Sequence, residues 1–346
     1  MKKILGACAL ALCGLLAFTG CGGQGKPTLN IFIWSEYLPD EVIAEFTKRT
    51  GIRVNYDTYD SNEALLEKLQ SGVADYDLVV PSDYMVSILI EKGLLQEIDH
   101  TKIATWGNLN PKFLNKHFDP ENKFSVPYFW GTTGLGFNRT KFPDGVDSWA
   151  VLFDPANAGR ILMLDDVREC FAVALKYLGH SLNETNPEIL RKAADLLKEQ
   201  KKLVKTFNSG DFHNILASGD VDLAHGYNGQ MAEVVAGDPE RLGYAVPDEG
   251  AVVWMDNLCI PAKARNAEHA HAFISFAMEA EINAQIVNGV SYASANTAAK
   301  AFIDPEILED ESIYPPDEVI DRCEFIEAVG DATALFDRLW TEIKAQ

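Results

Sequence analysis

The chain has 346 residues and carries 51 Asp and Glu against 30 Lys and Arg, a formal net charge of −21. Such a charge argues against nucleic acid as a partner and against docking of the protein surface on anionic lipid. The length exceeds what a single ordinary core organises, so two lobes are expected.

The first residues read as an export signal: Lys2 and Lys3, an apolar run over 4–18, then Thr19, Gly20 and Cys21. The apolar run is too short to cross a bilayer. The end of this segment resembles the lipobox of bacterial lipoproteins, with Gly20 directly before Cys21, although Phe18 stands where that motif usually has Leu. Cys13 is the poorer candidate because bulky Leu12 precedes it. The expectation is a lipoprotein signal peptide over 1–20, lipid on Cys21 and a tether over 21–28; the competing reading is an ordinary secretory signal with an incidental cysteine. The stretch GCGGQGKP over 20–27 imitates a phosphate loop, but Pro27 stands where Ser or Thr is required and no strand precedes it.

Residues 29–56 set the architecture. Ile31, Phe32 and Ile33 make a short strand, and Pro39, Asp40 and Glu41 suit a helix start. Val42, Ile43 and Phe46 form that helix's buried stripe, Gly51 stops it, and Ile52, Val54 and Tyr56 begin a second strand. In such a βαβ unit ligands sit beyond the carboxyl ends of the strands, which is where Trp34, Ser35, Glu36 and Tyr37 fall. Downstream, the pattern predicts a helix over 63–69, a buried strand over 75–81, a turn at Ser82, Asp83 and Tyr84, and a helix over 85–92 closed by Gly93. Residues 125–138 predict strand, bend and strand, with Gly131, Gly134 and Gly136 making the bend or a hinge into the second lobe. That lobe alternates strand 160–164, helix 166–178, helix 186–203, strand 221–224 and a helix after Asn228. A hairpin over 244–261 turns at Asp248, Glu249 and Gly250, and helices are expected over 267–278, 280–288 and 332–343. Both lobes are therefore α/β with largely parallel sheets and a ligand cleft between them. Lobe 1 is expected to comprise 29–134 and about 257–312, and lobe 2 135–256 and about 313–346.

Enzyme motifs are missing. The sequence has no GxSxG, HExxH or CxxC, and its seven histidines are scattered; His269 and His271, two apart on a predicted helix, diverge. Beyond Cys21, the thiols Cys170, Cys259 and Cys323 form no disulfide framework and are expected to be buried as small apolar residues. No cofactor and no metal is indicated.

Six blocks, in order and far apart, carry a specific resemblance: WSEY at 34–37, YDLVVPSDYMV at 76–86, VPYFWG at 126–131, DDVRE at 165–169, WMDNLCIP at 254–261 and SYASAN at 291–296. Almost end to end, the mature chain resembles the periplasmic substrate-binding protein of bacterial polyamine transporters, the spermidine/putrescine-binding family. The resemblance implies a two-lobe periplasmic-binding-protein fold and aromatic walls from Trp34, Tyr37, Tyr84, Tyr227, Trp254 and Tyr292. It implies acids at Glu36, Asp166, Glu169 and Asp256, hydroxyls at Ser35 and Ser82, a polyamine ligand, and an ABC permease as partner of a lipid-anchored, monomeric receptor. Carboxylates that take ammonium hydrogens, with ring faces over the charges and methylenes, suit a flexible polycation.

Each residue also has a plainer reading. Glu36 would face water, Trp34 and Trp254 would be core aromatics, and Tyr227 would line a GYNG turn. Asp166 and Glu169 are spaced like a capping box. Asp256, between apolar Met255 and Leu258, is the exception, because an acid in an apolar strand needs a compensating partner. Against the family pattern, Tyr227 replaces Trp, Ser35 replaces Thr, and Ile326 replaces a ligand-binding Gln, so that one polar contact is either missing or supplied by Glu327 or Glu324. The rival functions are a sugar- or metal-binding protein on the same scaffold and a glycosidase using a carboxylate pair such as Glu36 and Asp256.

Overall fold

The computed structural model describes residues 27–345 except 36, 60, 73 and 74. The expected signal segment, the lipidation candidate Cys21 and the candidate site acid Glu36 lie outside the described residues.

The opening unit forms as its residue pattern dictates. Leu29, Ile31 and Ile33 alternate along strand β1 (Thr28–Trp34) and are almost wholly buried. Helix α1 (Asp40–Thr50) sets Asp40 and Glu41 at its start and Lys48 and Arg49 in its last turn, matching the dipole, and buries Val42 and Phe46. Gly51, at φ 72°, ends it by sending its N–H to the Thr47 carbonyl. Strand β2 (Arg53–Tyr59) returns parallel to β1. Helix α2 (Asn62–Ser71), strand β3 (Leu78–Val79) and helix α3 (Asp83–Glu91) follow. The turn expected at Ser82, Asp83 and Tyr84 is instead the start of α3, with Ser82 as its N-cap residue.

Strand β4 (Ser125–Asn138) runs unbroken for 14 residues, all buried, so the bend expected at Gly131, Gly134 and Gly136 does not occur. None of the three has a positive φ. They are glycines because neighbours press on the strand: a Cβ at 131 would collide with Asn228 and the Trp254 ring, and one at 136 with Met231 and Leu216.

The chain continues through β5 (Ile161–Met163), α4 (Val167–Tyr177), α5 (Pro187–Lys201), β6 (Val204–Phe207), α6 (Phe212–Ala217), β7 (Leu223–Tyr227), α7 (Asn228–Gly237), β8 (Leu242–Ala245) and β9 (Val253–Cys259). It ends with α8 (Ala267–Ala277), α9 (Ala280–Val290), β10 (Ala293–Ser294), α10 (Pro305–Leu308), α11 (Asp317–Ile320) and α12 (Thr333–Ala345). The strand order is β2-β1-β3-β9-β4-β7-β5-β6, with β8 and β10 joined to β4 off this path. The ends are parallel, β2-β1-β3 and β7-β5-β6, whereas the centre around β4 is antiparallel, so the sheet is more mixed than expected. Strands β8 and β9 do not form the expected hairpin. The turn at Gly250 is real, with φ 86° and its N–H on the Pro247 carbonyl, but β9 pairs with β4 along 125–132 and β8 along 135–138.

One core gathers β1, α1, α8 and α9 around Ile31, Phe46, Phe273 and Ile282; another gathers β5, α4, α5 and α12 around Ile161, Phe171, Leu197 and Phe336. A smaller cluster, Ala172, Leu182, Val252 and Ile326, packs against Tyr84 and Trp254. Cys170 and Cys259 are buried free thiols as expected, whereas Cys323 is only half-buried.

Candidate functional site

The parallel strands deliver the predicted residues from their carboxyl ends. β1 ends at Trp34, with Tyr37 just beyond; β3 leads into Ser82 and Tyr84, β5 into Asp166 and Glu169, and β7 ends at Tyr227. This is where open α/β sheets bind ligands, because no helix covers the strand ends. Antiparallel β9 contributes Trp254 and Asp256, and the turn after α9 contributes Tyr292. Ser35 lies exposed beyond the end of β1.

The rings form one continuous wall. Successive centroids are 6.4 Å apart from Trp34 to Tyr37, 5.1 Å to Tyr292, 5.5 Å to Trp254 and 6.4 Å to Tyr227, tilted or edge-on throughout. Two glycines make room for it: a Cβ at Gly229 would strike Tyr292, and one at Gly131 would strike Trp254. Trp34 is anchored by its indole N–H on the Val80 carbonyl, 2.9 Å away. The indole N–H of Trp254 is buried and has no partner.

Behind this wall sits Asp256, 3% exposed. Tyr37 Oη donates to its Oδ2 at 2.7 Å and Ser82 Oγ to its Oδ1 at 2.6 Å. Among the described residues no Lys or Arg pairs with it, so neutral hydroxyls alone hold the carboxylate. Burial pushes its pKa up to about 6 against the pull of those two bonds. Asp83, also buried, accepts the backbone N–H groups of Tyr84 and Met255; burial, with Asp256 nearby, pushes its pKa up to about 8.

A second acidic group gathers at the start of α4. Asp166 caps the helix, its Oδ1 accepting the Glu169 N–H at 3.0 Å. Glu169 does not reciprocate. Its side chain is 4% exposed, Oε1 accepts Thr133 Oγ1 at 3.0 Å, and Oε2 has no hydrogen-bond partner. Burial, then the Asp166 charge, push the Glu169 carboxyl well up. His225 Nε2 lies 3.8 Å from Glu169 Oε2, but burial lowers the imidazole pKa to about 3 and leaves it neutral. Arg168 is occupied by the Glu327 carbonyl and Asn183 and lies over the Phe336 ring. The carboxylate of Glu324 is tied to Lys176 and Ser181, which takes it away from the place left by Ile326; Ile326 itself packs beside Tyr84 and Trp254.

Sequence reasoning missed three contributors. The residue pattern places Asp83 in a turn. Asn62 grips Ser82 twice, Nδ2 on Oγ and Oδ1 on the backbone N–H, both at 3.1 Å, and so positions the donor to Asp256. Glu63 accepts the Tyr84 hydroxyl at 3.2 Å. For Asn62 and Glu63 the signal available was their position in the first turn of α2, and for Asp83 its position in the first turn of α3, which the residue pattern alone leaves pointing anywhere.

The mixed sheet and its helices form the two-lobe α/β fold of periplasmic binding proteins, with rings and acids gathered at the strand ends. The chain belongs to the bacterial extracellular solute-binding protein family, whose model matches residues 41–315. It is 38% identical to the spermidine/putrescine-binding periplasmic protein of Salmonella typhimurium, covering 99% of this chain and 98% of that one. It is also similar to the solved structure of a spermidine/putrescine ABC transporter protein from Listeria monocytogenes, with 37% identity, TM-score 0.85, and 92% and 99% of the two chains covered. The TpPotD lipoprotein of Treponema pallidum superposes with the same TM-score, 0.85, at 30% identity, covering 92% of this chain and 100% of that one.

Proposed function

We propose that this chain is the extracytoplasmic receptor of an ABC-type polyamine transporter, capturing putrescine, spermidine or both and delivering them to a permease, with no covalent step. The observation that carries this is Asp256: a buried carboxylate behind a wall of five rings, held by two hydroxyls and paired with no Lys or Arg among the described residues. An ammonium supplies the missing charge, and the rings suit both that charge and an alkyl chain. Glu36, Asp166 and Glu169 are assigned to the remaining ammonium groups, and Ser35 to hydroxyl support.

In this reading the two lobes comprise 29–134 with about 257–312 and 135–256 with about 313–346, and the protein works as a monomer. The change of partner along β4, from β9 up to Thr132 to β7 from Thr133, supports a boundary there. Lobe closure around ligand follows from contacts supplied by both sides. Similarity to a lipoprotein and the Gly20-Cys21 pair support a lipid anchor on Cys21. Cys21→Ser should then leave a protein released by carbonate washing, and retention in the membrane pellet would overturn the anchor.

A thermal-shift panel on the mature domain tests the ligand. Putrescine or spermidine at about a hundred times its Kd should add about 2.7 kcal/mol and raise the midpoint, while maltose and sulfate leave it unchanged. Stabilisation by a sugar or Fe(III), and not by diamines, would replace the polyamine reading.

A further inference from the structure

Glu63 stands in the first turn of α2, outside every block that carries the family resemblance. Its carboxylate accepts the Tyr84 hydroxyl at 3.2 Å and pairs with no Lys or Arg among the described residues. Tyr84 packs against the cluster of Ala172, Leu182, Val252 and Ile326, of which Ala172 belongs to α4. There Asp166 is the acid whose ionisation Glu63 opposes, and Tyr84 feels the charge of both. One helical turn further, Glu169 holds a buried Oε2 with no hydrogen-bond partner, and Asp166 is its strongest charged neighbour. Three carboxylates thus gather where, among the described residues, a phenol, a threonine hydroxyl and a neutral imidazole meet them, and where the Arg168 guanidinium, whose charge favours ionised Asp166 and Glu169, gives its hydrogen bonds to the Glu327 carbonyl and Asn183 instead.

Resting on the polyamine reading, we propose that Glu63 is a further ligand-contacting acid, which with Asp166 and Glu169 holds one terminal ammonium of the polyamine. Glu63 comes from the α2 side and Asp166 from the α4 side, so their repulsion opposes approach of the two walls until a cation lies between them. The same acid supplies charge at the end where Ile326 offers no hydrogen bond.

Calorimetric titration of Glu63→Gln and Tyr84→Phe with putrescine and spermidine, at low and at moderate salt, tests this. Glu63→Gln should weaken binding about tenfold, the loss of one charge-assisted hydrogen bond, and should flatten the salt dependence. The ligand-free melting temperature should not fall, since a repulsive pair is removed. Tyr84→Phe, which leaves the acid in place, should keep the salt dependence of the parent. Unchanged affinity in Glu63→Gln overturns the assignment; so does an equal loss in both variants with salt dependence intact, which would make Glu63 merely the acceptor for Tyr84. A parent that binds neither polyamine would instead overturn the functional reading beneath it.

Discussion

At the scale of one residue, the role proposed for Asp256 sets folding against binding. Its pKa of about 6 lies above the ordinary carboxylate value, so between about pH 4 and 6 the native state keeps a proton that the unfolded chain has released. The stability this contributes is present in full below that window and is lost as pH rises through it. Asp83, at about 8, extends the loss upward. The ligand-free protein should therefore melt at progressively lower temperature as pH is raised from about 4 to 8, while polyamine affinity grows as Asp256 ionises. Asp256→Asn separates the two effects. Both partners are hydroxyls, and either can turn to accept an amide N–H. The variant should match or exceed the parent's ligand-free stability near pH 7.5, by up to roughly 2–3 kcal/mol for a shift of about two pKa units, and should lose polyamine binding. Melting curves over this pH range, paired with calorimetry, check both; a variant less stable than the parent at pH 7.5 would show that the ionised acid contributes to the fold.

At the scale of elements, α4 shows how far the residue pattern reaches. The Asp-x-x-Glu spacing reads as a capping box, and Asp166 does cap, but Glu169 turns away to Thr133 and leaves the box half made. Asn caps about as well as Asp, so Asp166→Asn should change stability by well under the roughly 1 kcal/mol that Ala costs. If the charge serves the ligand, both variants should lose polyamine affinity by roughly ten- to a hundredfold. Melting and calorimetry on the pair decide it: retained affinity in Asp166→Asn would reduce Asp166 to a cap. The same limit governs the sheet. The unit β1-α1-β2 was legible because Leu29, Ile31 and Ile33 alternate and Gly51 punctuates, both local signals. The run of β4 was not, because Gly131 and Gly136 answer to side chains about a hundred residues away, Asn228 and Met231, and no local pattern separates that from a bend. The supposed hairpin failed for the same reason: its turn exists, but β8 and β9 find different stretches of β4. The acids and rings assigned to the candidate site come from the family resemblance, whereas Glu63, Asn62 and Asp83 needed the tertiary placement of α2 and α3.

At the scale of the whole molecule, closure should be visible in tryptophan emission, because only part of the set can respond to a ligand in the cleft. Of the six tryptophans, Trp149 is buried with its N–H on the Gly250 carbonyl, Trp130 is buried with its N–H on the Ser294 carbonyl, Trp106 stacks on His100, and Trp340 packs against Phe207. Trp34 and Trp254 remain as residues of the ring wall. Trp34 already has a carbonyl partner, so its surroundings are largely set before ligand arrives. Trp254 stands edge-on to Tyr227 and Tyr292 with an unpartnered indole N–H, and a cation drawn over its face changes both its field and its exposure. A ligand shifts the open and closed populations only by its differential affinity for them, so a solute with no cation for the wall should leave the spectrum alone. Saturating putrescine or spermidine should therefore move the emission of the parent, and sulfate or maltose should not. Trp254→Phe keeps a ring in the wall and should remove the larger share of the change, with Trp34→Phe removing the smaller. The titration is read at ligand concentrations that calorimetry shows to saturate each variant. A Trp254→Phe protein that binds polyamine and retains the full spectral change would move the ligand, or the closing motion, away from this wall.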